Sequence, residues 1–366
     1  MNESENAHEL YGSGISYFTG KLEMYFRARG ISYVAKPLTA GRVADEIHKA
    51  LGSSQMPALR LADGQWLSDS TAIIQWMERE NPEDGVIPRD PALRFYSLLL
   101  EDFADEWLWR PAMHYRWHYS LGAHYAGQYL GIEIGAESMM PAWLKRFVIT
   151  QRQRRGYTRG DGIGDDAVAG VEQIYLDTLD ALQAMLADRP FMLGTRPSLA
   201  DAAFSGPFFR HFGLDPVPAD IMRKRAPAVY AWLGRQWEYT PAQGGEYLSE
   251  MPADWTPILE AIGRAYLPYL NANVRAVHSG TRQINETIDG VLYRGGRISR
   301  YRIWCLKQLR EAYEVLEGAV AEDVRNTLEA TGIWGPLWEE KDLPISDDLC
   351  AQLPFHVDAK MIEVYR

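Results

Sequence analysis

Two short stretches pair residue types that could grip a small charged peptide. Met56-Pro57 opens an apolar run, "MPALRLA", and Asp69-Ser70 begins the helical pattern that runs on as "TAIIQWMERE". Proline donates no ladder hydrogen bond and sits at strand starts and edges, while Asp and Ser are good helix N-caps. One reading therefore stops at a strand start and an N-cap. The other is that the proline and the positive end of the helix together hold an extended, anionic peptide. Between residues 103 and 129 rings are dense. Trp107, His114, His118 and Tyr125 share one helical face, and Trp109, Met113 and Trp117 lie on another. His114 and His118 stand at i, i+4, a metal-binding spacing, but zinc needs a third protein ligand and no H-E-x-x-H frame surrounds them. Asp102, Asp105 and Glu106 read as a polar helix face, with Asp105 in reach of a ligand's amino group.

The elements that must carry these groups follow from periodicity. Residues 9–15 predict a first strand, and "GKLEMYFRAR" a helix ending at Gly30. "SYVAKPL" predicts a second strand, "GRVADEIHKAL" a helix, and "PALRLA" and "QWLSD" two strands joined at Asp63-Gly64, a strong hairpin dipeptide. The order is β-α-β-α-β-β-α, with a right-handed first crossover. From Pro91 onward the pattern is almost wholly helical. A long helix over 91–120 is expected to kink at Pro111, followed by a glycine-rich segment at 131–137 and helices at about 141–155 and 166–187. Ser198-Leu199-Ala200-Asp201 reads as a capping box with Asp in place of the usual Glu or Gln. Residues 250–366 form a distinct tail: a helix over 257–277 broken near Pro268, a hairpin turning at Asp289-Gly290, then helices at about 300–317 and 319–331.

Bulk properties narrow the function. The chain has 366 residues, a net charge of −11, 46% apolar and 12% aromatic residues, enough for a large core and more than one domain. The charge argues against nucleic-acid binding, which needs a basic face. The one dense basic run, "KRFVITQRQRRGYTR" at 145–159, reads as a solvated helix face, with contact to a carboxylate as the alternative. Two cysteines, Cys305 and Cys350, make no disulfide framework, and Cys305 reads as core filling. The opening "MNESENAHEL" lacks a basic n-region and an apolar h-region, so no signal peptide is expected. No run reaches the ~20 apolar residues that cross a bilayer, so neither a membrane span nor a membrane partner is expected, and a cytoplasmic location is the default.

Taken together, Met56-Pro57, Asp69-Ser70 and "FMLGTRPSLADAAFSGP" resemble the cytosolic glutathione transferases over about residues 9–240. The resemblance implies a fold of three parts. Residues 1–88 would be an α/β thioredoxin-like glutathione-binding domain, residues 89–249 an all-α electrophile-binding domain, and residues 250–366 an α+β extension packed on the helical domain. It implies glutathione as cosubstrate, no metal, a homodimer, and a role in detoxification. Pro57 would be cis, Met56 would pair with the cysteinyl unit, and Gln55 would bond the tripeptide backbone. Ser70 would hold the γ-glutamyl carboxylate and Asp69 the ammonium.

Glutathione's thiol, with a pKa of about 8.5, is only ~3% thiolate at pH 7. Lowering the pKa to ~6.5 gives about 75% and needs roughly 2.7 kcal/mol, in reach of one hydroxyl hydrogen bond at a helix N-terminus. The turn "SGISYFTGKLE" offers Ser16, Tyr17 and Thr19, in that order of preference, with Ser16 matching the position of the serine in serine-type members. Trp107, His114, Tyr115 and His118 would line the pocket for a small hydrophobic electrophile. The resulting function is thiol activation for C–S bond formation or glutathione-dependent lysis. The alternative is a non-catalytic transferase-like module that binds a ligand or a protein.

Overall fold

The structure, a computed structural model, describes residues 7–345. Residues 1–6 and the end of the expected tail, Cys350 included, lie outside the described residues. Four strands form the first sheet: β1 (His8–Gly12), β2 (Tyr33–Pro37), β3 (Ala58–Arg60) and β4 (Trp66–Ser68). Their order is β2-β1-β3-β4, with β1 and β2 parallel and the other pairs antiparallel. Helices α1 (Tyr17–Arg29), α2 (Arg42–Leu51) and α3 (Ser70–Glu80) complete the expected β-α-β-α-β-β-α order. Strand β1 stops at Gly12, short of the expected residue 15, and Gly30 closes α1 at φ 65°, a conformation glycine adopts at little cost.

The helical part begins with α4 (Pro91–Glu106), α5 (Trp109–His118) and α6 (Ser120–Glu133). The single kinked helix expected over 91–120 is thus two. The chain breaks at Trp107-Leu108, so Pro111 falls in the first turn of α5, where its missing N–H costs nothing. Helix α6 absorbs the start of the glycine-rich segment and was not anticipated. α7 (Ala142–Gln153) runs into a π-helical turn at Arg154–Thr158, and α8 (Val168–Asp188) follows.

The capping box forms at α9 (Leu199–Pro207). Asp201 Oδ2 accepts from the Ser198 N–H at 2.9 Å, and Ser198 Oγ accepts from the Asp201 N–H at 3.4 Å. Asp201 Oδ1 also accepts from the Met192 N–H and from Trp232 Nε1, both at 2.9 Å. One carboxylate therefore fastens α9 to the loop before it and to α11 (Pro227–Glu238), with α10 (Pro216–Arg225) between.

The extension contains α12 (Thr256–Ala261), α13 (Leu267–His278), a hairpin of β5 (Gln283–Ile288) and β6 (Val291–Arg297), then α14 (Arg300–Glu314), α15 (Gly318–Ala330) and α16 (Trp334–Leu337). The hairpin turns at Asp289-Gly290 with φ of 48° and 75°, the left-handed pair that a two-residue turn requires. The break between α12 and α13 is a π-helical turn at Ile262–Tyr266, just ahead of Pro268. Trp107 packs against Tyr266, Tyr269 and Tyr293, so the extension and the helical part share one core.

Asp102 of α4 is enclosed by this docking. Tyr266 Oη donates to its Oδ2 at 2.5 Å and the Cys305 thiol donates to it too. Burial pushes its carboxyl up to about 7 from the ordinary 3.8, with those two donors opposing. The proton is held more tightly in the folded chain, so this group's contribution to stability is full below about pH 4 and fades as pH rises through about 7. Between pH 5 and pH 8 the protein should lose roughly 2 kcal/mol from this source. Urea unfolding at both pH values should show Asp102→Asn flattening the loss by about that amount; equal losses in the two proteins would refute the assignment.

Candidate functional site

Helix α1 begins at Tyr17 because the turn before it is pinned from two sides. Arg116 Nη1 donates to the Ile15 carbonyl at 2.6 Å and Arg210 Nη1 to the Gly14 carbonyl at 2.7 Å. Arg116 is itself held by Asp215, at 2.9 and 3.1 Å, inside the protein. Ser16 is the N-cap residue of α1, its side chain caps nothing, and it faces a cavity of about 620 Å³.

The other expected thiol-binding hydroxyls point elsewhere. Tyr17 Oη donates to the Ala104 carbonyl at 2.5 Å, and burial raises its pKa well above the ordinary value. Among the described residues the Thr19 hydroxyl is buried without a hydrogen-bond partner against Gly12 and lies off the cavity wall.

The same cavity takes in Gln55, Met56, Pro57, Asp69 and Ser70. The Met56-Pro57 bond is cis, as the resemblance implied. Among the described residues no hydrogen bond uses the Met56 backbone, the Gln55 side chain, or the Ser70 N–H and hydroxyl. Asp69 adopts φ 71° and caps α3, its Oδ1 accepting from the N–H groups of Thr71 at 3.0 Å and Ala72 at 3.2 Å. It also receives a hydrogen bond from Tyr301 of the extension. Burial raises its pKa, and the donors Tyr301 and Ala72 oppose that.

Beneath this wall lies a buried charge cluster. Lys21 Nζ of α1 donates to Asp105 at 2.5 Å, to Glu101 at 2.6 Å and to the Thr71 hydroxyl at 2.9 Å. The polar face expected for Asp102, Asp105 and Glu106 is therefore largely covered, with Asp105 buried and Asp102 and Glu106 half-buried. Asp105 Oδ1 is buried with no hydrogen-bond donor and its residue faces the cavity. Burial pushes the Asp105 carboxyl upward, with the Lys21 ammonium opposing. Burial likewise raises Glu106, opposed by Arg302 and Arg110.

The residues expected to hold an electrophile are not on the cavity wall. Trp107 is in the shared core, and Tyr115 stacks on Tyr119 and meets Tyr175 edge-on. His114 Nε2 donates to the Glu172 carboxylate at 2.9 Å, burial lowers its pKa, and its ring stacks on exposed His118. The opposite face of α5, Trp109, Met113 and Trp117 at i, i+4, i+8, turns to the cavity instead. Both faces are aromatic, so the pattern alone could not orient the helix. Sequence reasoning also missed Arg297, Tyr301 and Arg302 from the extension, which line the same space. Asn273 anchors them: its side chain donates to the Ser299 carbonyl at 2.8 Å and accepts from the Ser299 N–H at 2.7 Å. The Cys305 thiol, buried beside Asp102, is pushed well above its usual pKa, which suits packing and not nucleophilic chemistry. Among the described residues no helix is long and apolar enough to cross a membrane.

No curated protein has a matching sequence. Among solved structures, the chain is similar to a glutathione S-transferase from Pseudomonas fluorescens Pf-5, at 16% identity and TM-score 0.38, covering 63% of this chain and 95% of that one. It is similar to a glutathione S-transferase from Methylobacillus flagellatus KT with glutathione bound, at 16% identity and TM-score 0.40, covering 64% and 96%. The β-etherase LigF from Sphingobium sp. strain SYK-6 is similar at 18% identity and TM-score 0.44, covering 64% and 96%. The family model of the glutathione S-transferase N-terminal domain matches residues 10–85, and that of the C-terminal domain matches residues 165–235. Residues 10–85 and 165–235 thus match the N- and C-terminal domains of the glutathione S-transferase family in their expected order.

Proposed function

We propose that the protein binds glutathione in this cavity and activates its thiol for reaction with an electrophilic carbon, as a transferase or a glutathione-dependent lyase. One observation carries the reading. The unpaired backbone of Met56, the unpaired Ser70 at the start of α3 and the uncapping hydroxyl of Ser16 at the start of α1 all face one cavity. Bound there, glutathione supplies a thiolate nucleophile.

The chain's own residues do the rest. The Met56 N–H and C=O are available to pair with an extended peptide backbone, and Gln55 stands beside them. The Ser70 hydroxyl and N–H, at the positive end of an eleven-residue helix, suit a carboxylate. Asp69 is already committed to capping α3 and to Tyr301, so Asp105 is the better acceptor for an ammonium. Its Oδ1 lacks a donor, and a cation there would relieve the excess of buried carboxylates. Ser16 donates to the sulfur and favours the thiolate, helped by the dipole of α1. Ser16 is kept in register by Arg116 and Arg210, which fix the two residues before it.

The hydrogen bond of Tyr301 to Asp69 favours a second reading, in which the extension leaves a ligand-binding module without catalysis. Thiolate absorbance separates the two, because only the first requires bound glutathione to ionise at neutral pH. Wild-type protein should show that absorbance at pH 7, and Ser16→Ala should reduce it about tenfold while glutathione affinity falls by only about fourfold, the part linked to thiol ionisation. An undiminished thiolate signal in Ser16→Ala would remove Ser16 from the role. Ser70→Ala tests the carboxylate site separately. Calorimetric titration should show glutathione affinity falling about tenfold or more, the scale of a lost charge-assisted hydrogen bond, and unchanged affinity would move the carboxylate elsewhere.

A further inference from the structure

The basic run at 145–159 is only partly a solvated face. Its end, through α7 and the π-helical turn, brings Arg152 and Tyr157 to the cavity wall. Across from them Arg297, the last residue of β6, holds its guanidinium 5.3 Å above the Tyr157 ring and packs on Gly160. Trp109 joins the group: its ring meets Tyr157 edge-on at 5.4 Å, and its Nε1 donates to Asp161 at 3.0 Å.

The charges at this end do not cancel. Arg297 lies 3.5 Å and Arg302 3.8 Å from Asp161, and Arg302 lies 3.4 Å from Glu106. Arg302 is otherwise occupied, donating to Tyr269 Oη at 3.1 Å and the Arg297 carbonyl at 2.9 Å. Arg297 makes no side-chain hydrogen bond, and Arg152 has neither a hydrogen bond nor an ion pair among the described residues. Three guanidinium groups against two carboxylates leave one positive charge, beside a floor of Trp109, Met113 and Trp117.

We propose that this end of the cavity selects an aromatic acid as second substrate, its ring on the tryptophan floor and its carboxylate taken by Arg297 and Arg152. A planar guanidinium matches a carboxylate in shape as well as charge, and a single excess positive charge suits a monoanion better than a phosphate. Partial exclusion of water strengthens the attraction over its value at an open surface. The extension thus sets specificity, because Arg297 belongs to it. The reaction rests on the glutathione reading; the binding does not.

Calorimetric titration of the full chain without glutathione, using 3,5-dinitrobenzoate and its methyl ester, isolates the binding step. The acid should bind at least about tenfold more tightly than the ester. Arg297→Met and Arg152→Met should each erode that preference toward about threefold or less with the ester's affinity unmoved, and Arg297→Lys should retain part of it. Arg152→Met serves where loss of the Arg297 contact to Asp161 upsets folding, since Arg152 has no hydrogen bond or ion pair among the described residues. An ester that binds as well as the acid, no binding of either at millimolar concentration, or a preference that survives both Met variants would overturn the proposal. A missing thiolate signal with glutathione would refute the reaction alone and leave the acid-to-ester ratio as measured.

Discussion

A buried ammonium sets the spacing of everything around the cavity. Lys21 projects from α1 to Thr71 in the first turn of α3 and to Glu101 and Asp105 on α4. The start of α1 carries Ser16, the start of α3 carries Ser70, and the end of α4 carries Asp105 and Glu106. One side chain, itself fully buried, therefore joins the three walls. Stripping water from such a group is costly, and only close partners with further hydrogen bonds offset it. The Thr71 hydroxyl supplies one, and donates onward to Asp105 at 3.1 Å. Removing Lys21 would leave Glu101 and Asp105 uncompensated in the interior, so the arrangement acts as a joint of fixed geometry.

The joint is also acidic in excess. Glu101, Asp102, Asp105 and Glu106 fall within two turns of α4, opposed by Lys21, Arg110 and Arg302. Burial accordingly drives Asp102, Asp105 and Glu106 upward. Such a region favours a cationic group on an incoming ligand, while the far end of the cavity, near Arg152 and Arg297, favours an anionic one. The extension supplies much of this polarity. Its Arg302 balances Glu106 and Asp161, its Tyr301 bonds Asp69, and its Asn273 clamps the Ser299 backbone that leads into α14.

The parts of this site legible in the sequence are those fixed by local chemistry. Met56-Pro57, the Asp69-Ser70 cap, the Ser198–Asp201 box and the Asp289-Gly290 turn each depend on residues within a few positions, and each has a recognisable residue signature. Long-range packing was not legible. Lys21 looks like an ordinary helix-surface lysine until α4 is folded against it, and its carboxylate partners lie some eighty residues further on. The two aromatic faces of α5 are equivalent on paper. Tyr266, Tyr269 and Tyr293 of the extension help to bury the start of that segment through Trp107, which leaves Trp109, Met113 and Trp117 for the cavity. Likewise the break before α5 follows from where Pro111 is tolerated, not from a kink at Pro111 itself.

A structure of the protein with glutathione bound decides whether this cavity activates the thiol. The sulfur should lie within about 3.5 Å of Ser16 Oγ, with a carboxylate at Ser70 and Tyr301 and Arg302 still on the cavity wall. Glutathione bound away from Ser16, or an extension displaced from the cavity on binding, would contradict that arrangement.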